Sequence, residues 1–416
     1  MKQYLVGGAV RDRLLGLPVV DRDWVVVGST PADMLQAGFR SVGKDFPVFL
    51  HPDSHEEYAL ARVERKTGPG YHGFEFTTDS SVTLEEDLSR RDLTINAIAQ
   101  REDGELVDPY NGRQDIENRI LRHVSEAFVE DPVRILRVAR FMARFHHLGF
   151  TIADETLELM RRMVVDGETD NLVAERVWQE MSGALKARSP DAFITALRDC
   201  NALAVVLPEV DALFGVPQPR KWHPEIDSGI HTLMVLRQAS LASEQLDVRF
   251  AALCHDLGKA TTPTHILPSH HGHEERGAVL TEGLCERLRV PRKTRDLAVL
   301  TARWHTHSHR SRELTPGKLA TLLQTMDVVR KPERFDQYLL VCESDARGRL
   351  GHEASQYPQA VFLRGAADVF RQVDSAAIAR ATADKTTIPE RIREARIRAL
   401  ERWLRSSSDS GTGSQG

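Results

Sequence analysis

Near residue 115 the chain changes its period, and that change limits what it can fold into. Before it, short runs such as YLVGG (4–8), DWVVVG (23–28), FPVFLH (46–51), EYALARV (57–63) and the stretch 92–99 carry Val, Ile, Tyr and Phe between Gly, Pro and Asp breaks. That pattern belongs to strands alternating with short helices, a compact α/β unit. After it, apolar residues recur at helical spacing as far as about residue 405. The expectation is an α+β multidomain chain. It comprises an α/β head (1–115), an all-α neck (116–225), an all-α histidine-rich domain (228–345) and a helical tail (346–405). The Pro-rich VPQPRKWHPE (216–225) reads as the connector, and SSSDSGTGSQG (406–416) has the composition of a disordered end.

Composition narrows the function classes. No stretch of the 416 residues approaches ~18 apolar positions, so no membrane span is expected. The opening MKQYLVGGAVRD enters a strand pattern at once and lacks a signal-peptide layout. Four scattered cysteines, Cys200, Cys254, Cys285 and Cys342, form no CxxC pair and fit a reducing cytoplasm. A net charge of −5 argues mildly against nucleic acid, but binding depends on local basic faces. Of 17 histidines, many fall between 223 and 309, which points to a metal site in mid-chain.

Four segments of the head and neck carry chemistry. YLVGGAVRDRLLG (4–16) reads as a strand, a Gly-Gly turn and a helix start, which lets backbone approach a phosphate. Asp21 and Asp23 sit two apart in a β-branched run, so a strand places both carboxylates on one face. Carboxylates beside an apolar sheet need a partner. A magnesium ion shared with substrate phosphates supplies one. SRRDLTINAIA (89–99) adds Arg90 and Arg91, whose guanidinium forks suit a triphosphate. In EDPVRILRVARFMARF (130–145), Asp131 before Pro132 reads as a helix N-cap. At ~100° per residue, Arg134, Arg137, Arg140 and Arg144 then form one stripe opposite Ile135, Val138, Met142 and Phe145. Four arginines with no acid interleaved call for anions along them.

GGAVRD, DRDWVVVG, RRDLTINAIA, DPYNGRQDIENRILR (108–122) and EDPVRILRVARF occur in that order. Together they resemble the head and neck of the class II CCA-adding tRNA nucleotidyltransferases, of the DNA polymerase beta nucleotidyltransferase superfamily. The resemblance covers about the first 145 residues. It implies a polymerase-beta-like head in which Gly8, Arg11 and Arg91 contact the incoming nucleotide and Asp21 and Asp23 hold Mg2+. It further implies that Asp131 and Arg134 read the edges of C and A, with Arg137 and Arg140 in support. One carboxylate, Asp131, is thereby asked both to cap and to read. A further acid of the family falls on Glu56 or Glu57.

SGIHTLMVL (228–236), AALCHDLGK (251–259), SHHGHEERGA (269–278), RWHTHSHR (303–310) and ESDARGR (343–349) form a second constellation. It resembles the HD phosphohydrolases, which implies a metal held by His231, His255, Asp256 and Asp345, with His273 and His305 as further members of the site. Imidazole and carboxylate suit a divalent transition metal such as Ni2+. His307 and His309 read as ordinary helix histidines. Head and HD domain together resemble the bacterial multifunctional CCA proteins. That implies addition of the 3′-terminal CCA of tRNA from CTP and ATP, with phosphatase, 2′-nucleotidase and 2′,3′-cyclic phosphodiesterase activity, in a monomer or homodimer. The basic RIREARIRALERWLR (391–405) is either a grip on the tRNA or a capped terminal helix. The rival readings are a poly(A) polymerase and a noncatalytic RNA-binding or nucleotide-sensing protein.

Overall fold

A computed structural model describes residues 1–42, 48–66, 74–77 and 80–409, and the chain divides into two compact units after Val206. The first unit opens with a sheet built from β1 (Lys2–Val6), β2 (Asp23–Val27), β3 (Arg40–Val42), β4 (Val48–Leu50) and β5 (Glu57–Leu60). A separate hairpin, β6 (Val63–Lys66) and β7 (Phe74–Thr77), follows. β8 (Ala99–Gln100) and β9 (Leu106–Val107) complete the main sheet, whose order is β3-β4-β5-β2-β1-β8-β9. β2 is antiparallel to β1 but parallel to β5, which sets Asp23 opposite both Val6 and Glu57.

Alternation along the strands gives this sheet two apolar faces. Tyr4, Val6 and Val25 pack with Leu84 and Leu88 of a short helix on one side. Val26, Tyr58 and Leu60 pack with Met34, Phe39 and Phe49 on the other. Helices α1 (Gly8–Leu14), α2 (Pro31–Gln36) and α3 (Leu84–Ser89) connect the strands. Gly7, at φ +66°, makes the turn from β1 into α1, and a Cβ there would stand 3.1 Å from Arg91 Nη1.

Two local expectations change. Asp21 lies ahead of β2 rather than within it. The stretch 92–99 is mainly a tight turn over Thr94–Asn96, because Asp92 Oδ1 accepts from the Leu93 N–H at 2.9 Å and from Asn96 Nδ2 at 2.8 Å. Such side-chain bonds compete with a strand ladder.

Helices α4 (Gly112–Asn118), α5 (Val133–Phe145), α6 (Asp154–Val165), α7 (Ala174–Lys186), α8 (Asp191–Asp199) and α9 (Leu203–Val206) finish the unit. α5 packs against α7 and α8 with Ile135, Leu136 and Val138 fully buried, while Met142 is only half-buried.

The second unit is helical: α10 (Pro208–Asp211), α11 (Ser228–Ala242), α12 (Leu246–Cys254), α13 (His273–Arg287), α14 (Arg292–His309), α15 (Pro316–Thr325), α16 (Pro332–Arg347), α17 (Pro358–Arg371), α18 (Ser375–Ala381) and α19 (Ile388–Asp409). α11, α12, α14 and α16 pack together, with α13 on α14, and α19 lies on α15, α17 and α18. α19 runs into the stretch expected to be disordered, whose last residues, 410–416, lie outside the described residues. The expected connector 216–225 is part of this unit. Pro217 bridges to Asp227, whose carboxylate caps α11 through the Gly229 and Ile230 N–H groups and also accepts from Gly215 N–H. Prolines there shape a folded strap. No helix among the described residues is long and apolar enough to cross a membrane.

Candidate functional site

In the first unit a cavity of about 850 Å³ is lined by Gly8, Arg11, Asp21, Asp23 and Arg91 from the sheet side. Asp131, Arg134, Arg137 and Arg140 line it from the start and flank of α5. The structure sets the two glutamates on different sides. Glu57, paired with Asp23, lines the cavity, whereas Glu56 turns to the other face and accepts from Trp24 Nε1 at 2.8 Å. Burial raises the Asp23 pKa, Arg91 opposes, and Asp21 raises it further, so the two acids interact as like charges.

The arginine stripe is not bare. Arg137 Nε and Nη2 both stand 2.7 Å from Asp92 Oδ2, Arg140 Nε is 2.5 Å from Glu180, and Arg144 Nη2 is 2.7 Å from Asp12. Arg134 is buried and donates to the Ala127 carbonyl. Much of the anionic charge expected from a ligand thus comes from carboxylates on other elements. Burial pushes Asp92 up, but Arg137 and the Asn96 amide outweigh it and hold the carboxyl far below its usual range. Asp131 serves two partners. Its Oδ1 accepts the Val133 N–H at 3.0 Å, and Arg176 forks onto both oxygens at 3.2 and 2.7 Å. Arg11 is buried against Phe141 and Phe145 and gives its donors to Asp12 and Asn96. Sequence reading missed Arg176 and Glu180. Their signal is AERVWQEM (174–181), which looks like any amphipathic helix until its partners 40 and 45 residues away are known.

The second unit gathers His231, His255, Asp256, His273, His305 and Asp345, all buried. Each ring has its Nδ1 facing an oxygen. For His231 these are Glu225 Oε1 (3.0 Å) and Gly348 O (3.1 Å); for His255, Ala252 O (2.7 Å); for His273, His270 O (2.8 Å); for His305, Ala302 O and Thr301 O (both 3.1 Å). These oxygens only accept, so hydrogen bonding assigns the proton to Nδ1 in all four. The four Nε2 atoms therefore turn toward Asp256 and Asp345. His255 and His231 lie 3.1 and 3.7 Å from Asp256 Oδ2, His273 and His305 both 3.4 Å from Oδ1, and His231 3.2 Å from Asp345 Oδ1.

Lone pairs converging on carboxylates repel unless a cation lies among them. His255 Nε2 and Asp256 Oδ1 are also buried without a hydrogen-bond partner. The donor set fits a divalent transition metal, in two neighbouring groups, His231, His255 and Asp345, and Asp256, His273 and His305; a further group, His223, Glu225 and His231, meets the first at His231. Burial pushes Asp256 up, yet His255 and Lys259, whose Nζ is 2.6 Å away, hold it well below the usual range. Burial drives His273 down to about 4. On His305 burial is outweighed by Asp256 and the pKa rises.

His309, read from sequence as an ordinary helix residue, belongs here. Its Nε2 is 2.6 Å from Asp345 Oδ2, and Tyr357 meets its Nδ1 at 3.1 Å. Spacing offered a signal, because His309 stands one turn after His305 on the same face of one helix, but only tertiary packing shows that this face turns inward.

Carboxylates at the start of a central strand facing arginines, with a helical unit of converging imidazoles, define a nucleotidyltransferase-type head joined to an HD-type domain. Residues 3–122 match the family described as Poly A polymerase head domain, 149–214 the probable RNA and SrmB- binding site of polymerase A, and 229–331 the HD domain. The chain is similar to the multifunctional CCA protein of Laribacter hongkongensis (strain HLHK9), 61% identical over 98% of this chain and 100% of that one. It is similar also to that of Thioalkalivibrio sulfidiphilus (strain HL-EbGR7), 65% identical over 88% and 90%. Its fold resembles a Bacillus stearothermophilus CCA-adding enzyme in complex with CTP, at a TM-score of 0.63 and 22% identity, over 98% of this chain and 93% of that one. The chain belongs to the multifunctional CCA protein family.

Proposed function

We propose that the first unit adds and repairs the 3′-terminal CCA of tRNA from CTP and ATP. The observation that carries this is one cavity joining Asp21 and Asp23 to Arg91, Asp131, Arg134 and Arg137. Asp21 and Asp23 would hold Mg2+, whose hard-cation preference for carboxylate and phosphate oxygens matches the donors present. Mg2+ held there would supply a lower pKa for the attacking ribose hydroxyl and charge neutralisation at phosphorus. Arg91 and Arg137 orient the triphosphate so that the hydroxyl attacks the α-phosphorus and pyrophosphate leaves. Gly8 gives the backbone room beside it, and Arg11 braces that wall. Asp131 and Arg134 present acceptor and donor to the base edges, with Arg140 behind them and Arg176 holding Asp131.

In the second unit His231, His255, Asp256 and Asp345, with His273 and His305, would hold a divalent transition metal, Ni2+ among the candidates. The metal supplies Lewis-acid polarisation of a phosphoryl oxygen and a lower pKa for the attacking water. The chemistry is phosphohydrolysis of phosphomonoesters, 2′-nucleotides and 2′,3′-cyclic nucleotides. It would clean a damaged 3′ end for the head to rebuild.

The test is a tRNA lacking its 3′ end, incubated with CTP and ATP. Extension that stops after C, C and A is expected. A long A tail makes the chain a poly(A) polymerase, and no extension makes it a noncatalytic binder. In parallel, His255→Ala and Asp256→Ala should abolish turnover of 2′,3′-cAMP, and undiminished turnover removes the second site from the account.

A further inference from the structure

We infer that Glu225 is a positioning residue of the second site. It fixes the ring of His231 so that Nε2, and not Nδ1, is offered to the metal, an inference that rests on the metal reading of that site.

Three of the four converging histidines have Nδ1 held by a backbone carbonyl three or four residues earlier in the same stretch of chain. His231 differs. Its Nδ1 lies 3.0 Å from a carboxylate oxygen contributed from outside its own helix, Oε1 of Glu225. Among the described residues, the other oxygen at that nitrogen is Gly348 O, at 3.1 Å. Glu225 is itself placed with care. Its side chain is 2% exposed, its Oε1 also meets His223 Nδ1 at 2.9 Å, and its Oε2 accepts the Leu350 N–H at 3.4 Å. One carboxylate at the end of the strap thus ties the strap to α11 and to the chain beyond α16.

A carboxylate behind an imidazole does two things that a carbonyl does less well. It locks the tautomer and orientation of the ring, and its charge makes the distal nitrogen a better donor to a metal. Burying an acid beside two histidines is otherwise costly, and no lysine or arginine pairs with Glu225 among the described ion pairs. A plain fastening of the strap would be met by a neutral side chain.

The test uses the full chain and Co2+ as the probe metal, read by chelator competition and by the visible spectrum of the bound ion. Glu225→Gln keeps an acceptor and removes the charge; Glu225→Ala removes both. Expected is Co2+ binding weakened about 10-fold in the first and toward 100-fold in the second, with an altered spectrum. If Glu225 only fastens the strap, both variants melt at lower temperature while Co2+ affinity and spectrum stay as in the unaltered chain; that result overturns the inference. An unaltered chain that binds no Co2+ overturns the metal reading and the inference together, and is told apart because His255→Ala then changes nothing either.

Discussion

Asp92 and Arg137 lie 45 residues apart in sequence, yet two guanidinium nitrogens reach one carboxylate oxygen of a side chain only 6% exposed. Truncating Arg137 to Ala leaves that carboxylate with the Leu93 N–H and Asn96 amide alone. Loss of a hydrogen bond to a charged group of this kind costs about 2 kcal/mol. Asp92→Asn in the Arg137→Ala background should recover part of it, giving a favourable coupling in a double-mutant cycle measured by urea denaturation. Additive effects would contradict the pairing. The stripe itself was legible, since helical spacing fixes which residues share a face. Its counter-charges were not, because Asp12, Asp92 and Glu180 come from elements whose approach no local pattern encodes. The choice of Glu57 over Glu56 likewise needed the register of two parallel strands.

The turn after His255-Asp256 and the start of α13 approach so closely that their backbones nearly touch. A Cβ on Gly258 would stand 1.9 Å from His273 O and 2.5 Å from Gly277 N, atoms that cannot step aside without moving α13. Gly258→Ala should therefore destabilise the second unit by about 3 kcal/mol or more, at the upper end of overpacking costs, and weaken metal binding through His273. Calorimetry and Co2+ titration check both, and an unchanged melting temperature would contradict the packing. Elements with strong periodicity, such as α5, were readable from sequence. The strap 216–227 was not, because proline-rich composition describes linkers and pinned turns alike.

Across the second unit the buried imidazoles give stability a pH dependence. Burial pushes His223 and His273 down to about 4 from the ordinary 6.5. Burial lowers His270 and His309 too. Between pH 6.5 and 4 the unfolded chain takes up protons that the folded one refuses, so stability falls as pH falls through that window. His305 opposes this, since Asp256 raises its pKa over the effect of burial, but it is one group against several. The melting temperature of this unit should drop between pH 6.5 and pH 4.5 by calorimetry, and a flat or rising profile would contradict neutral burial of these rings. At this scale the sequence led to an expected α/β head over 1–115, helices from there to about 405, and two clusters of candidate site residues. It placed the division within the strap, whereas the compact units part after Val206, where a short helix ends and the next begins.

The account stands on the paired acids near the start of the chain, and a crystal structure determined after soaking with CTP and Mg2+ tests it most directly. The expected result is an ion about 2.1 Å from carboxylate oxygens of both Asp21 and Asp23, with the triphosphate between it and Arg91 and Arg137. Nucleotide bound elsewhere, or bound in the cavity with no ion on either aspartate, would contradict it.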